Sequence, residues 1–405
     1  MDWMYLFYFL LAALLFFGCR ACRRGEWNEE YTSREQTKIL QGFMALCVAL
    51  HHMAQKTCAP WHNSRFIVHG MDVFVPLGFL FVAVFFFCSG LGLYKSLKTK
   101  PDYLRGFFRK RILPIIVAFY LSEFIYTGIR LLMGEKMDAL TVVWYLSGLH
   151  MANFNVWYVI AIIFFYLAFW GAFRLCKKRE GLAILLVTVF VLAYTVLGAY
   201  LGHPQGWWMR GEWWYNSVLL FPLGLLFGKF ERPVTKACKK AYWVLLPLFF
   251  AGIFLSAKLW HTAEGAWGYY WVGPPLQETA RRLGTAASQW LVCICFVGFC
   301  FLLMMKVRFG NRALKWLGAA TLEFYLMHGV FVELFGYDFL EFTKSLTYIR
   351  KVPLYIQVVL ACSVAATILF HFLWKGVMRL PGLRSKKPAQ SPDCQNSDSA
   401  SASVS

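Results

Sequence analysis

Residues 39–55 read ILQGFMALCVALHHMAQ. The run is apolar and long enough to sit across a bilayer, yet it carries two adjacent imidazoles, His51 and His52. Whether it is a membrane helix or the core helix of a soluble domain decides the fold. The surrounding chain answers: 59% hydrophobic residues, 15% charged residues and a mean hydropathy of +0.52 over 405 residues exclude a soluble domain pair.

Crossing about 30 Å of hydrocarbon at about 1.5 Å per residue takes roughly 20 apolar residues. Eleven runs approach that length: 3–19, 39–55, 73–94, 112–133, 155–173, 181–201, 214–229, 243–258, 284–305, 316–335 and 354–374. The runs at 39–55 and 214–229 are the least hydrophobic, so the expectation is an all-α, polytopic transmembrane helical bundle of about 10–11 spans.

The basic residues supply an independent test of that division. Of 41 Lys and Arg, 30 fall in alternate connections: 20–38, 95–111, 174–179, 229–240, 306–315 and 375–387. The positive-inside rule places that set in the cytoplasm, which puts the N-terminus outside and the C-terminus inside a multi-pass cell-membrane protein. The net charge of +20 is thereby explained by orientation and anionic headgroups, with the lipid bilayer as partner and no nucleic acid.

Residues 1–34 read as an N-terminal anchor helix and cytoplasmic linker. Asp2 precedes the apolar run while Arg20, Arg23 and Arg24 follow it, the reverse of the charge order in a cleaved leader. Residues 35–380 form the transmembrane domain. The Ser-, Pro- and Lys-rich 381–405 has too few apolar residues to bury and reads as a disordered cytoplasmic tail. Of 12 cysteines, Cys58 alone falls clearly in an outer connection, so no disulfide framework is expected, and no His/Cys spacing points to a metal.

Ionisable side chains inside hydrocarbon cost several kcal/mol each, so they are read first as functional or as buried pairs. Those within the runs are His51, His52, Glu123, Arg130, Glu323, His328 and His371, with Gln41, Ser89 and Gln357 as neutral companions. His52 lies 13 residues beyond Ile39 and His328 12 residues beyond Trp316, so both stand about 20 Å up from the basic side. Two imidazoles at one depth can define a reaction centre. Successive helix positions diverge by about 100°, so His51 and His52 face different neighbours and only one of them serves such a site. Glu323 is placed either to fix an imidazole's tautomer or to pair with a cation such as Arg130. The segment KSLKTKPDYLRGFFRKRILP brings Arg109, Lys110 and Arg111 against the membrane, where cations meet lipid phosphates or those of a nucleotide-like donor.

Four stretches together resemble the acyltransferase 3 family of integral-membrane acyltransferases: TKILQGFMALCVALHHMAQ, FFFCSGLGLYKS, FFRKRILPIIVAFY and LKWLGAATLEFYLMHGVF. NVWYVIAIIFFYL and WWYNSVLLFPLGLLFGKF add support, and the likeness runs from about residue 38 to 335. Carried over residue by residue, it places the essential histidine at His52 and matches Ser89, Gly90, Arg111 and His328 to their motifs. Gln41 stands where relatives carry a cation, and Lys38, one helical turn earlier, is the substitute. The resemblance implies no bound cofactor. It implies acyl-CoA as donor and an extracytoplasmic glycan or lipid-linked saccharide as acceptor, with acetyl as the acyl group. The site expected from residues and resemblance together comprises His52, His328 and Glu323 in catalysis, and Arg111, Arg109, Lys110, Lys38 and Ser89 toward the donor. Tryptophan-rich outer connections at 202–214 and 261–275 offer stacking surfaces for sugars, though such rings also form ordinary interfacial belts. A proton- or ion-coupled transporter or flippase, with His52, Glu323 and His328 as relay, is the competing reading.

Overall fold

The computed structural model describes residues 3–148, 150–201, 209, 211–267, 275–339, 343–344, 346–380 and 383. The expected tail at 381–405, apart from Leu383, and most of the two tryptophan-rich connections lie outside the described residues.

The helices, in chain order, are α1 (Trp3–Phe16), α2 (Arg34–Thr57), α3 (Gly78–Thr99), α4 (Leu113–Leu132), α5 (Ala139–Ser147), α6 (Trp157–Cys176), α7 (Glu180–Leu201), α8 (Leu220–Lys229), α9 (Glu231–Trp267), α10 (Pro275–Lys306), α11 (Arg312–Ala319), α12 (Thr321–Phe335) and α13 (Val352–Val377). Among the described residues, strands amount to two short pairs, so the all-α class holds.

Seven of the eleven predicted runs become helices long and apolar enough to span: those within α3, α4, α6, α7, α9, α10 and α13. An eighth, 316–335, is broken. Its halves α11 and α12 meet at 89°. The remaining three fall short for different reasons. α1 has 14 residues and α8 only 10, while α2, at 24 residues, is long enough but diluted by polar side chains. That dilution is tolerated because α2 lies inside the bundle, with Gln36 and Gln41 among its buried residues.

Glycines set how closely the central helices approach. A Cβ on Gly42 of α2 would overlap the carbonyl of Leu314 in α11, and one on Gly318 of α11 would overlap the carbonyl of Lys38. α3 and α8 repeat the device: Gly90 lies against the Phe221 carbonyl and Gly224 against that of Phe87. Small residues of this kind let backbones touch where lipid offers no hydrophobic drive for helix association. The Gln-Gly, Ser-Gly, Pro-Leu-Gly and Leu-Gly pairs of the sequence are these contact points.

The two ends of the bundle are stitched separately. At one end Lys95 pairs with Glu231 at 2.8 Å, Lys98 with Glu180 at 2.8 Å, Lys239 with Glu29 at 2.5 Å, Arg308 with Glu30 at 3.0 Å and Lys315 with Glu35 at 2.5 Å. Four of the basic connections predicted to share a side, 20–38, 95–111, 229–240 and 306–315, thus contact one another there, and Lys98 also reaches Glu180 just past a fifth. Residues 20–21 also pair antiparallel with 307–308, and Gly18 touches Gly310. Trp3, at the other end of α1, packs on Gly70, and Tyr8 donates to the Gly70 carbonyl at 3.2 Å. α1 therefore bridges the Gly310 turn and the loop around Gly70 despite being short. In the loop beyond α2, burial works to raise the Asp72 carboxyl, but the Gly70 amide at 2.8 Å and the His69 ring at 2.6 Å hold it below the usual carboxylate range.

Candidate active site

α2 is started by Ser33, whose side chain accepts from the Gln36 amide, and it carries Glu35 in its first turn and Lys56 in its last, both favourable to the helix dipole. Near its far end the two histidines part as their angular spacing requires. His51 turns toward the start of α3, where its Nδ1 donates to the Phe74 carbonyl at 2.8 Å and its ring fills the space that a Cβ on Gly78 would need. His52 turns toward α12, and its ring lies 5.2 Å from that of His328, the planes inclined by 31°.

The hydrogen bonds fix the tautomers. His52 Nδ1 donates to the Gln55 side-chain oxygen at 3.1 Å, and His328 Nδ1 donates to the Phe324 carbonyl at 3.0 Å. A neutral imidazole that donates from Nδ1 keeps a lone pair on Nε2. His328 is 0% exposed, and its Nε2 has no partner. Both rings thus keep a basic Nε2, that of His328 fully buried and that of His52 on a half-buried ring.

A file of hydroxyls approaches them. Tyr325 packs 5.8 Å from Tyr158 and 5.9 Å from His328, with its own hydroxyl bonded to the Asn155 carbonyl. Tyr158 lies 3.4 Å, oxygen to oxygen, from Ser89, and the Tyr166 hydroxyl faces Ser89 as well. Tyr166 stacks near Phe107, at 6.1 Å, and feels the charge of Arg111. Beyond it lies a pocket of about 270 Å³ lined by Lys100, Pro101, Asp102, Tyr103, Phe107, Lys110 and Arg111. The Arg111 guanidinium stands 5.7 Å from the Tyr103 ring. The backbone there departs from regular helix, with Asp102 at φ 48°, Gly106 at φ 73° and a π-helical turn at Phe108–Ile112 that points the Arg109-Lys110-Arg111 cluster.

The remaining expected residues are placed as follows. Lys38 lies within electrostatic reach of Arg34, Arg111 and Glu323. Glu323 accepts from His371 at 2.7 Å and from the Trp374 indole at 3.0 Å, both on α13, and so makes its bonds there rather than to His328 or Arg130. Arg130 is held by the Glu135 carboxylate and the Ala152 carbonyl. Arg109 stands in the π turn, outside the residues that line the pocket.

Residues 37–371 match the family model for an acyltransferase domain, acyltransferase 3. The chain belongs to the acyltransferase 3 family. No match was found among the curated proteins or the solved structures. As an acyltransferase 3 protein the chain is a multi-pass membrane acyltransferase, and the four stretches that suggested the family all fall within the matched residues or overlap them.

Sequence reasoning did not single out Gln55, Tyr158, Tyr166 or Tyr103. In an apolar chain a tyrosine that carries a hydroxyl inward reads the same as one anchored at the interface. Gln55, three residues after His52 and thus on the same helical face, did have a legible signal.

Proposed function

We propose that the protein transfers an acyl group, acetyl in the first instance, from a cytoplasmic acyl-CoA to a hydroxyl of an extracytoplasmic glycan or lipid-linked saccharide. The observation that carries the reading is the pair of imidazoles 5.2 Å apart, joined by a Ser/Tyr file to a cation-lined pocket at the basic end of the bundle. In this reading that end faces the cytoplasm, with the N-terminus outside and the C-terminus inside. Lys100, Lys110 and Arg111 meet the donor's phosphates, Tyr103 its adenine ring, and Lys38 lies along the route inward.

The chemistry follows from the tautomer. His52 Nε2 takes the proton of the sugar hydroxyl as that oxygen attacks the thioester carbonyl. A C–O bond forms, the C–S bond breaks, and the proton passes to the departing thiolate, so the ring returns to its starting state. The same nitrogen could serve instead as nucleophile, carrying the acyl group until the sugar takes it. Gln55 holds the ring for either course, and His328, with its free Nε2, is a second acceptor at van der Waals range.

The test is transfer of labelled acetyl from acetyl-CoA to saccharide by membranes containing the protein. His52→Ala is expected to reduce transfer at least about a thousandfold, about 4 kcal/mol of barrier. Transfer retained within about tenfold would remove His52 from the mechanism.

A further inference from the structure

Four residues of α4, Glu123, Tyr126, Thr127 and Arg130, are spaced at i, i+3, i+4 and i+7 and so line one face of the helix. All four are buried, at 0%, 1%, 3% and 0% exposure. Arg130 is answered by Glu135. The other three are not fully answered. Glu123 accepts from the Ala152 amide at 2.6 Å through Oε2, but its Oε1 has no partner, and neither has Tyr126 Oη or Thr127 Oγ1.

Thr127, like Thr285 on α10, departs from the usual habit of a buried helical threonine. Thr57, Thr188, Thr195 and Thr367 each turn the hydroxyl back to the carbonyl four residues earlier in the same helix. That bond is available to any helical threonine and satisfies it inside a membrane. Leaving a buried hydroxyl or carboxyl oxygen unmet costs about 1–3 kcal/mol, so three on one helical face call for something to meet them.

The face is next to the histidines. A Cβ on Gly329, the residue after His328, would stand 3.0 Å from Tyr126 Oη, 3.1 Å from Asn155 Nδ2 and 3.4 Å from Asn153 Oδ1. Having no side chain, Gly329 lets α12 pack closely against Tyr126 Oη, Asn155 Nδ2 and Asn153 Oδ1, so polar atoms from α4 and from the turn before α6 converge on the helical turn that carries His328.

We propose that Glu123, Tyr126 and Thr127 form a subsite that grips hydroxyl groups of the acceptor sugar and sets the reacting oxygen against the imidazole pair. The assignment rests on the acyl-transfer reading above. A sugar presents neighbouring hydroxyls that both donate and accept, which is the complement of a carboxylate oxygen flanked by two side-chain hydroxyls. Glu123, Tyr126 and Thr127 act here in binding and positioning, and the proton transfer stays with His52.

The experiment uses the full-length protein in lipid nanodiscs with labelled acetyl-CoA and three probes: octyl β-glucoside, octyl β-galactoside and octyl N-acetyl-β-glucosaminide. Hydrolysis of acetyl-CoA by water is followed in parallel as a readout independent of the sugar. Glu123→Gln, Tyr126→Phe and Thr127→Val are each expected to raise the KM for the glycoside at least about tenfold while hydrolysis and the KM for acetyl-CoA stay within about twofold. Thr127→Val is isosteric and serves where a bolder change prevents folding. An unchanged glycoside KM in Thr127→Val and Tyr126→Phe overturns the subsite. So does a wild-type protein that hydrolyses acetyl-CoA but acylates none of the three, or transfer that requires sodium in wild type and loses that requirement in Glu123→Gln. A wild-type protein that consumes no acetyl-CoA overturns the acyl-transfer reading itself.

Discussion

The two ends of the bundle use charge in opposite ways. At the Lys/Arg-rich end the ion pairs are exposed and span different connections: Lys315–Glu35 has side chains 52% and 49% exposed, and Arg308–Glu30 has 54% and 64%. At the other end local pairs such as His69–Asp72 and Arg281–Glu278 are still exposed on at least one side, but two pairs are sunk into protein. Lys56 meets Glu333 at 2.7 Å with side chains 10% and 8% exposed, and Arg130 grips Glu135 at 1% and 14%. Exposed pairs are worth about 0–1 kcal/mol each, whereas removing one partner of a buried pair leaves a desolvated charge and costs several. In the reading proposed above, the first end uses charge to orient the bundle and to gather the donor's phosphates, while the second holds two buried pairs against the walls of a polar interior.

That contrast can be broken at either end. The largest effect is expected for Lys56→Met, which strands the Glu333 carboxylate from its ammonium: the bundle should lose about 3 kcal/mol, read as a lowered unfolding midpoint in detergent, with much of the loss restored in Lys56→Met/Glu333→Gln. Full stability in the single variant would mean that the buried pair is not what holds that end. An intermediate effect is expected at the cation-lined pocket. Arg111→Ala should raise the KM for acyl-CoA about tenfold, equivalent to about 1.4 kcal/mol, with the glycoside KM unchanged. Equal movement of both constants would detach Arg111 from the donor. The smallest effect is expected for Lys315→Ala, which breaks an exposed pair and should leave both the unfolding midpoint and transfer unaltered. A clear drop in either would show that the surface pairs at the basic end do more than orient.

Much of the fold was legible because lipid imposes a simple rule: apolar length and the sidedness of Lys and Arg report spans directly. The rule failed where protein, not lipid, surrounds a helix. α2 is buried, so its polar residues carry no membrane penalty and its apolarity falls below that of a span. The break between α11 and α12 was equally hidden, since nothing in LKWLGAATLEFYLMHG differs from a continuous helix except the small residues Gly318, Ala319 and Ala320, the last of which is the break itself. In the site, depth arithmetic from chain position anticipated that His52 and His328 would share a level, and the structure places their rings 5.2 Å apart. It could not choose partners, because that depends on which helices adjoin. Glu323 meets His371 and Trp374 on a helix some 50 residues away, and Glu123 meets a backbone amide that has no sequence signature at all.

All three histidines of the pair and its neighbour commit Nδ1 to an acceptor in the protein, Phe74, Gln55 or Phe324. Any proton gained or lost during a turnover must then come and go through the opposite nitrogen. A ring that receives and releases at the same atom has no need to flip between steps, so the site can reset without side-chain rotation.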